Sequence, residues 1–201
     1  MEKYDYIYND SEGYCYTGTD VLKNKLGIRD DNALTIAERE ITSIKLLMLY
    51  NMPTMEIFNF DTLCKIHKII FEDIFEWAGL IRHGDFLSKG DSIFCRGQYI
   101  EENANIIMGN LQKEKNLCGL NKLEFIERMA YYMGEINALH PFREGNGRTS
   151  REFFRQLSLN ANYILDFGKT EKEALLTADI EAFNGQYEKL IKILEKAIRA
   201  K

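Results

Sequence analysis

The chain has 201 residues, 45% of them hydrophobic, and a formal charge of −5 at pH 7. That length holds one sizeable core, so residues 1–201 are read as a single domain. The acidic balance and the lack of a basic tail speak against nucleic acid as a main partner, because binding to a phosphate backbone needs a basic surface.

The start, "MEKYDYIYND", is polar and aromatic and lacks the basic and apolar regions of a classical signal peptide. Secretion by another route is left open. Residues 1–17 are read as an irregular lead-in carrying Tyr4, Tyr6, Tyr8, Tyr14 and Tyr16. Rings packed on the core are the plainer reading of these tyrosines; a set of modifiable hydroxyls is the sharper one. "TDVLKNKLG" opens on a capping residue and stops at Gly27, which predicts a short helix. Leu34, Ala37, Ile41, Ile44 and Leu47/Met48 recur at spacings of three and four and predict an amphipathic helix over 33–50. "FDTLCKIHKIIFEDIF" predicts another, with Asp61 as its N-cap and His67 in a structural role.

At 83–99, "HGDFLSKGDSIFCRGQY" breaks the helical period and predicts a hairpin around Ser88–Ser92. Its edge can pair with an extended peptide; a covering loop is the alternative. Helices are predicted over 99–116 and 121–139, the latter delivering His140 at its end. Others start near Asn146 and cover 170–183 and 185–199. Two prolines in the whole chain, Pro53 and Pro141, agree with a mainly helical fold. Cys15, Cys64, Cys95 and Cys118 form no CxxC pair and suit free thiols in the cytoplasm. Zinc is not expected, since His67, His83 and His140 lie apart from them. No apolar run of about 18 residues predicts a membrane span.

The densest chemistry is "HPFREGNGRTSR", residues 140–151. Pro141 ends the preceding helix. Gly145 and Gly147 let the backbone approach a ligand, and the next helix starts within the turn. Free N–H groups at a helix start bind anions, phosphate above all. Arg148, Arg151 and Arg155 share one face of that helix. A polyphosphate would satisfy them; ion pairs with Glu144 and Glu152 are the alternative, preferred for Arg155. Glu144 is a natural Mg²⁺ ligand beside a polyphosphate. His140 belongs to the residue type that ordinarily titrates near neutrality and takes a proton from an attacking hydroxyl. Base, metal ligand and phosphate cradle together point to transfer from a nucleotide.

The stretch matches HxFx(D/E)GNGRxxR at every defining position and resembles the signature of Fic proteins. "YTGTDVLKNKLGI" (16–28) and "FEWAGLIR" (75–82) are similar to leading segments of short bacterial Fic proteins, and the resemblance spans roughly residues 14–195. It implies an all-α, Fic-type helical bundle with a β-hairpin flap at 83–99 beside the active site. The implied activity is protein adenylyltransfer, AMP moving from ATP to a Ser, Thr or Tyr hydroxyl of a target protein with release of pyrophosphate.

By the same resemblance His140 is the base, Phe142 anchors the loop and Glu144 holds Mg²⁺. Gly145, Asn146 and Gly147 form the anion hole, and Arg148 and Arg151 bind the outer phosphates. The target docks on the flap. The Doc branch, which phosphorylates, carries Lys where this chain has Gly147, so AMP transfer is favoured. Other Fic relatives use UTP or CDP-choline, and the motif alone does not separate them. Many Fic proteins are inhibited by a helix of pattern (S/T)xxxE(G/N). Thr177–Glu181 has the spacing but Ala182 follows. Thr35 and Glu38 are three apart and suit a capping or helix-face role. The short form resembles toxin halves of two-gene modules, which implies a small antitoxin-like partner supplying a glutamate; an uninhibited chain is the alternative. A non-catalytic nucleotide-responsive module and an enzyme that removes AMP are the other readings. The first needs neither His140 nor Glu144, and the second generally relies on an inhibitory-type glutamate.

Overall fold

The computed structural model describes residues 6–8, 13–83, 87–89 and 92–201. Seven α-helices dominate these residues, with five short strands. α1 (Asp31–Asn51) starts at Asp30, whose carboxylate accepts the Ala33 N–H at 2.8 Å. α2 (Phe60–Phe71) is capped by Asn59, two residues before the expected Asp61. α3 (Ile100–Lys113) leads through a tight turn to α4 (Lys122–Leu139). Asn121 and Glu124 close a capping box at the head of α4. α5 (Asn146–Asn160), α6 (Lys172–Phe183) and α7 (Glu188–Ala197) complete the set.

α4 is the axis of the fold. Phe125, Ile126, Met129, Tyr132, Met133, Ile136 and Leu139 are buried around much of its circumference. A helix apolar on most sides must be surrounded, and α3, α5, α6 and α7 all pack on it. α2 packs on α5 from the other side, where Phe58 meets Phe153 edge to face at 5.6 Å. Burying each such ring stabilises the fold by about 1.5–3 kcal/mol. The buried side chains form one continuous core.

Several expectations are corrected. Residues 19–27 form no helix. The Asn24 side chain bonds the backbone of Leu22 and Ile28, and Lys25 N–H bonds the Ile74 carbonyl. Those partners replace an intrahelical ladder. α1 turns the first half of the expected face inward, Leu34 and Ile41 meeting the core, but not the second half. Ile44, Leu47 and Met48 are exposed, while Leu34, Thr42 and Leu49 are buried. The inward stripe also carries Glu38 and Lys45, each with a side chain 14% exposed. Polar partners share that face with the apolar contacts of Leu34, Ile41, Leu46 and Leu49. The C-terminal end leaves the helix early. β4 (Tyr163–Leu165) and β5 (Ile198–Ala200) pair antiparallel, Leu165 opposite Ile198.

The predicted hairpin is present as β2 (Leu87–Lys89) and β3 (Ser92–Ile93), Ser88 opposite Ile93. Its turn residues Gly90 and Asp91 lie outside the described residues. A third strand, β1 (Tyr6–Tyr8), pairs antiparallel along the outer edge of β2, Tyr8 opposite Leu87 and Tyr6 opposite Lys89. The edge of β2 is thus occupied. Tyr14 and Tyr16 behave as packing residues. Tyr14 meets Trp77 edge to face at 5.9 Å and accepts the His83 N–H, and Tyr16 bonds the Asn24 carbonyl. Tyr4 lies outside the described residues.

Candidate active site

Residues 140–151 form the link from α4 to α5 and the first turns of α5. His140 caps α4 in the left-handed region, φ 44° and ψ 61°. Few non-glycine residues adopt that conformation, and surrounding contacts must hold it. Those contacts are present. The His140 ring stacks on Phe94 at the root of the hairpin, centroids 3.8 Å apart. Arg82 Nε donates to the His140 carbonyl at 2.8 Å. The same buried guanidinium bonds the Cys95 carbonyl, and Arg82 N–H donates to the Pro141 carbonyl at 2.9 Å. Cys95 N–H in turn reaches the Ala138 carbonyl at 3.1 Å. Arg82 therefore ties the hairpin root to the histidine.

Beyond His140 the loop is locked from within. Phe142 is buried, and Asn146 bonds both its N–H (2.9 Å) and its carbonyl (2.7 Å). The Asn146 side chain is therefore a loop clasp, and only its backbone N–H is left to serve an anion. Glu144 accepts the Gly145 N–H at 2.8 Å, and its carboxylate lies 3.4 Å from Arg148. Gly145 has φ +82°, and a Cβ there would fall 2.2 Å from the Phe71 ring. Only glycine fits both conditions.

α5 makes its first intrahelical bond from Thr149 N–H to the Gly145 carbonyl, 3.0 Å. The N–H groups of Asn146, Gly147 and Arg148 thus lie in the unpaired first turn, where the helix dipole favours an anion. Arg148 lies over the Phe71 ring at 4.8 Å and pairs with Glu38 of α1, beside Thr42 Oγ1 at 3.2 Å. Glu38 is not a cap; it reaches the motif across the core. Burial pushes the Arg151 guanidinium below its ordinary pKa, with Asp179 opposing and Arg148 adding to the shift. A Cβ at Gly147 would lie 3.0 Å from Arg151 Nη1. Arg155 is held by both oxygens of Glu152, each at 2.7 Å, as the ion-pair reading expects. Glu181 pairs with Lys189, and Thr177 bonds the Glu173 carbonyl.

His67 belongs to the site, although its spacing in the sequence marks only a helix. It is fully buried, and Nδ1 accepts the Gly79 N–H at 2.8 Å. Nε2 meets the Glu144 carbonyl at 3.0 Å, and the ring stacks on Phe142 at 3.9 Å. Burial lowers its pKa to about 4, against the Glu144 carbonyl bond and with Arg148 lowering it further, so the ring is neutral near pH 7. No sequence signal ties His67, Arg82 or Glu38 to the motif.

Among the described residues, no three His, Cys, Asp or Glu side chains gather as a metal cage. One carboxylate beside a phosphate cradle is the donor set that suits Mg²⁺, which keeps water and phosphate ligands. Glu144 fits that part, with a side chain 29% exposed at the mouth of α5.

The model of the Fic/DOC family matches residues 57–158. "Probable protein adenylyltransferase Fic" of Escherichia coli strain K12 is 38% identical over 185 residues, covering 92% of this chain and 91% of that protein. Protein adenylyltransferase VbhT of Bartonella schoenbuchensis is 40% identical over 185 residues, 92% of this chain but 38% of that longer protein. Among solved structures, the BepC effector of Bartonella tribocorum with bound AMPPNP superposes with a TM-score of 0.89 at 29% identity. It covers 96% of this chain and 100% of that one.

Proposed function

The chain belongs to the Fic/DOC family, and from that premise we propose that it is a protein adenylyltransferase that moves AMP from ATP to a Ser, Thr or Tyr hydroxyl of a target protein. One observation carries the reading. His140 and the first turn of α5, which starts at Asn146, lie six positions apart on one loop, so a base at His140 and a polyphosphate on that turn would meet there.

In this reading His140 takes the proton of the target hydroxyl, and the freed oxygen attacks the α-phosphorus. Pyrophosphate leaves, its charge held by the Asn146, Gly147 and Arg148 N–H groups and by the Arg148 and Arg151 guanidinium groups. Mg²⁺, held by Glu144, would supply neutralising charge to the α- and β-phosphates. Gly147 leaves the Arg151 guanidinium its place. A lysine there, as in the Doc branch, would crowd it, which supports AMP transfer over phosphate transfer.

Two arms with α- and γ-labelled ATP, Mg²⁺ and bacterial lysate test this. Protein label from the α arm alone is expected. Label from the γ arm would replace adenylyl transfer by a kinase-like reaction.

The target's extended segment is assigned to the hairpin, by strand pairing. Tyr6–Tyr8 occupies the outer edge of β2, so a target using that edge displaces it. Deleting residues 1–8 is expected to raise the initial rate on a fixed target about 3–150-fold, three cross-strand pairs contributing about 0.2–1 kcal/mol each. An unchanged rate would send the target elsewhere. Inhibition is assigned to a small antitoxin-like partner supplying a glutamate. In support, an open groove of about 640 Å³ runs beside Arg148 and Arg151, with Arg155 and Arg199 also on its walls. Glu152 and Asp166 share those walls, so four arginines against two acids leave a net positive lining, which suits an acidic segment. The four free thiols agree with the cytoplasm as its location, and no helix among the described residues is long and apolar enough to cross a membrane.

A further inference from the structure

α2 reaches the active-site loop through two residues one turn apart, His67 and Phe71. The bonds of His67 determine its tautomer. A backbone N–H can only donate, so Nδ1, which receives Gly79 N–H, carries the lone pair. The proton of the neutral ring then sits on Nε2 and is given to the Glu144 carbonyl, 3.0 Å away. Gly79 makes this possible. Its φ is +84°, and a Cβ there would fall 2.8 Å from Lys68 Cβ, so only glycine brings that turn against α2. The ring is clamped on its face by Phe142, 3.9 Å away. Phe71 lies under Gly145 and carries Arg148 at 4.8 Å. The backbone of Glu144 and the start of α5 are thus held from α2, at residues 77 and 74 positions away in sequence.

We propose that His67 is a positioning residue: it fixes the Glu144 peptide and thereby aims the Glu144 carboxylate at the Mg²⁺ of a bound nucleotide. This rests on the reading of Glu144 as the metal ligand. Partners one shell removed from a metal typically change its affinity about 10–100-fold when lost. A histidine that only filled the core would affect melting and leave the metal dependence alone.

The test is calorimetric binding of AMPPNP with and without Mg²⁺ to the whole chain, which reads the metal-dependent gain in affinity without turnover. His67→Phe keeps a flat ring but loses both hydrogen bonds. His67→Met, less bulky, serves if that variant does not fold. His67→Gln offers an acceptor and a donor side by side, as the neutral imidazole does. The expected result is a metal-dependent gain reduced about 10-fold or more in His67→Phe or His67→Met. Mg²⁺-free binding is unchanged, and His67→Gln recovers most of the gain. A full gain in a folded His67→Phe or His67→Met, with only the melting temperature lowered, overturns the proposal. Glu144→Gln separates the two levels. If it keeps the full gain, the metal reading of Glu144 falls and this proposal with it. If it loses the gain while His67→Phe keeps it, this proposal falls alone.

Discussion

His140→Ala is expected to lower AMP transfer about 10²–10⁴-fold, the usual contribution of a positioned general base, while nucleotide binding persists. In the proposed mechanism the phosphates are held by the N–H groups of α5 and the arginines, none of which needs the imidazole. His140 also has a structural share, through its stack on Phe94 at 3.8 Å. Its backbone bond to Arg82 survives the substitution. The loop therefore keeps its main tether, and lost packing should cost about 2–5 kcal/mol. Initial rates with α-labelled ATP beside a calorimetric titration with AMPPNP separate the effects. A variant that transfers AMP within about tenfold of the parent would remove His140 from the role of base.

The second large effect is expected at Gly145. Alanine there meets two independent penalties. A φ of +82° costs a residue with a Cβ about 1–2 kcal/mol. The new atom would also lie 2.2 Å from the Phe71 ring, and such overpacking costs about 1–3 kcal/mol. Phe71 is fully buried and has little room to yield. Gly145→Ala should thus lose about 2–5 kcal/mol, summed from those two effects. For a chain of this size that lowers the melting temperature by roughly 4–20 °C. Activity should fall beyond what unfolding explains, because the start of α5 and Arg148 shift with Phe71. A thermal melt within about 2 °C of the parent would show that the loop relaxes freely and that the tight seat on α2 is unimportant.

The two variants probe different layers of one design. In the proposed mechanism His140 and Glu144 carry the chemistry on the loop, whereas Gly145, Phe71, His67 and Arg82 set where the loop sits. Arg82 and His67 approach from opposite ends. One holds the His140 carbonyl and the hairpin root, the other the Glu144 carbonyl. Between them Asn146 clasps Phe142. The loop is fixed at three successive points, which suits preorganised stabilisation of charge.

The sequence by itself determined the family signature at residues 140–151, the helical class, the main helices and the hairpin. These features are local. A helix start, a glycine turn and an apolar period are written within a dozen residues, because backbone hydrogen bonds in helices and tight turns join near neighbours. The tertiary structure alone decided the rest. Ile44 and Met48 look inward by periodicity, yet Glu38 and Thr42 face the core because Arg148 waits there, 106 to 110 residues away. His67 and Arg82 read as an ordinary helix residue and a loop arginine until their partners 77 and 58 positions on are placed. The strand at Tyr6–Tyr8 and the pairing of β4 with β5 likewise depend on distant partners. Short segments carry too little local preference to announce such pairings, so they form only when the packed core brings both edges together.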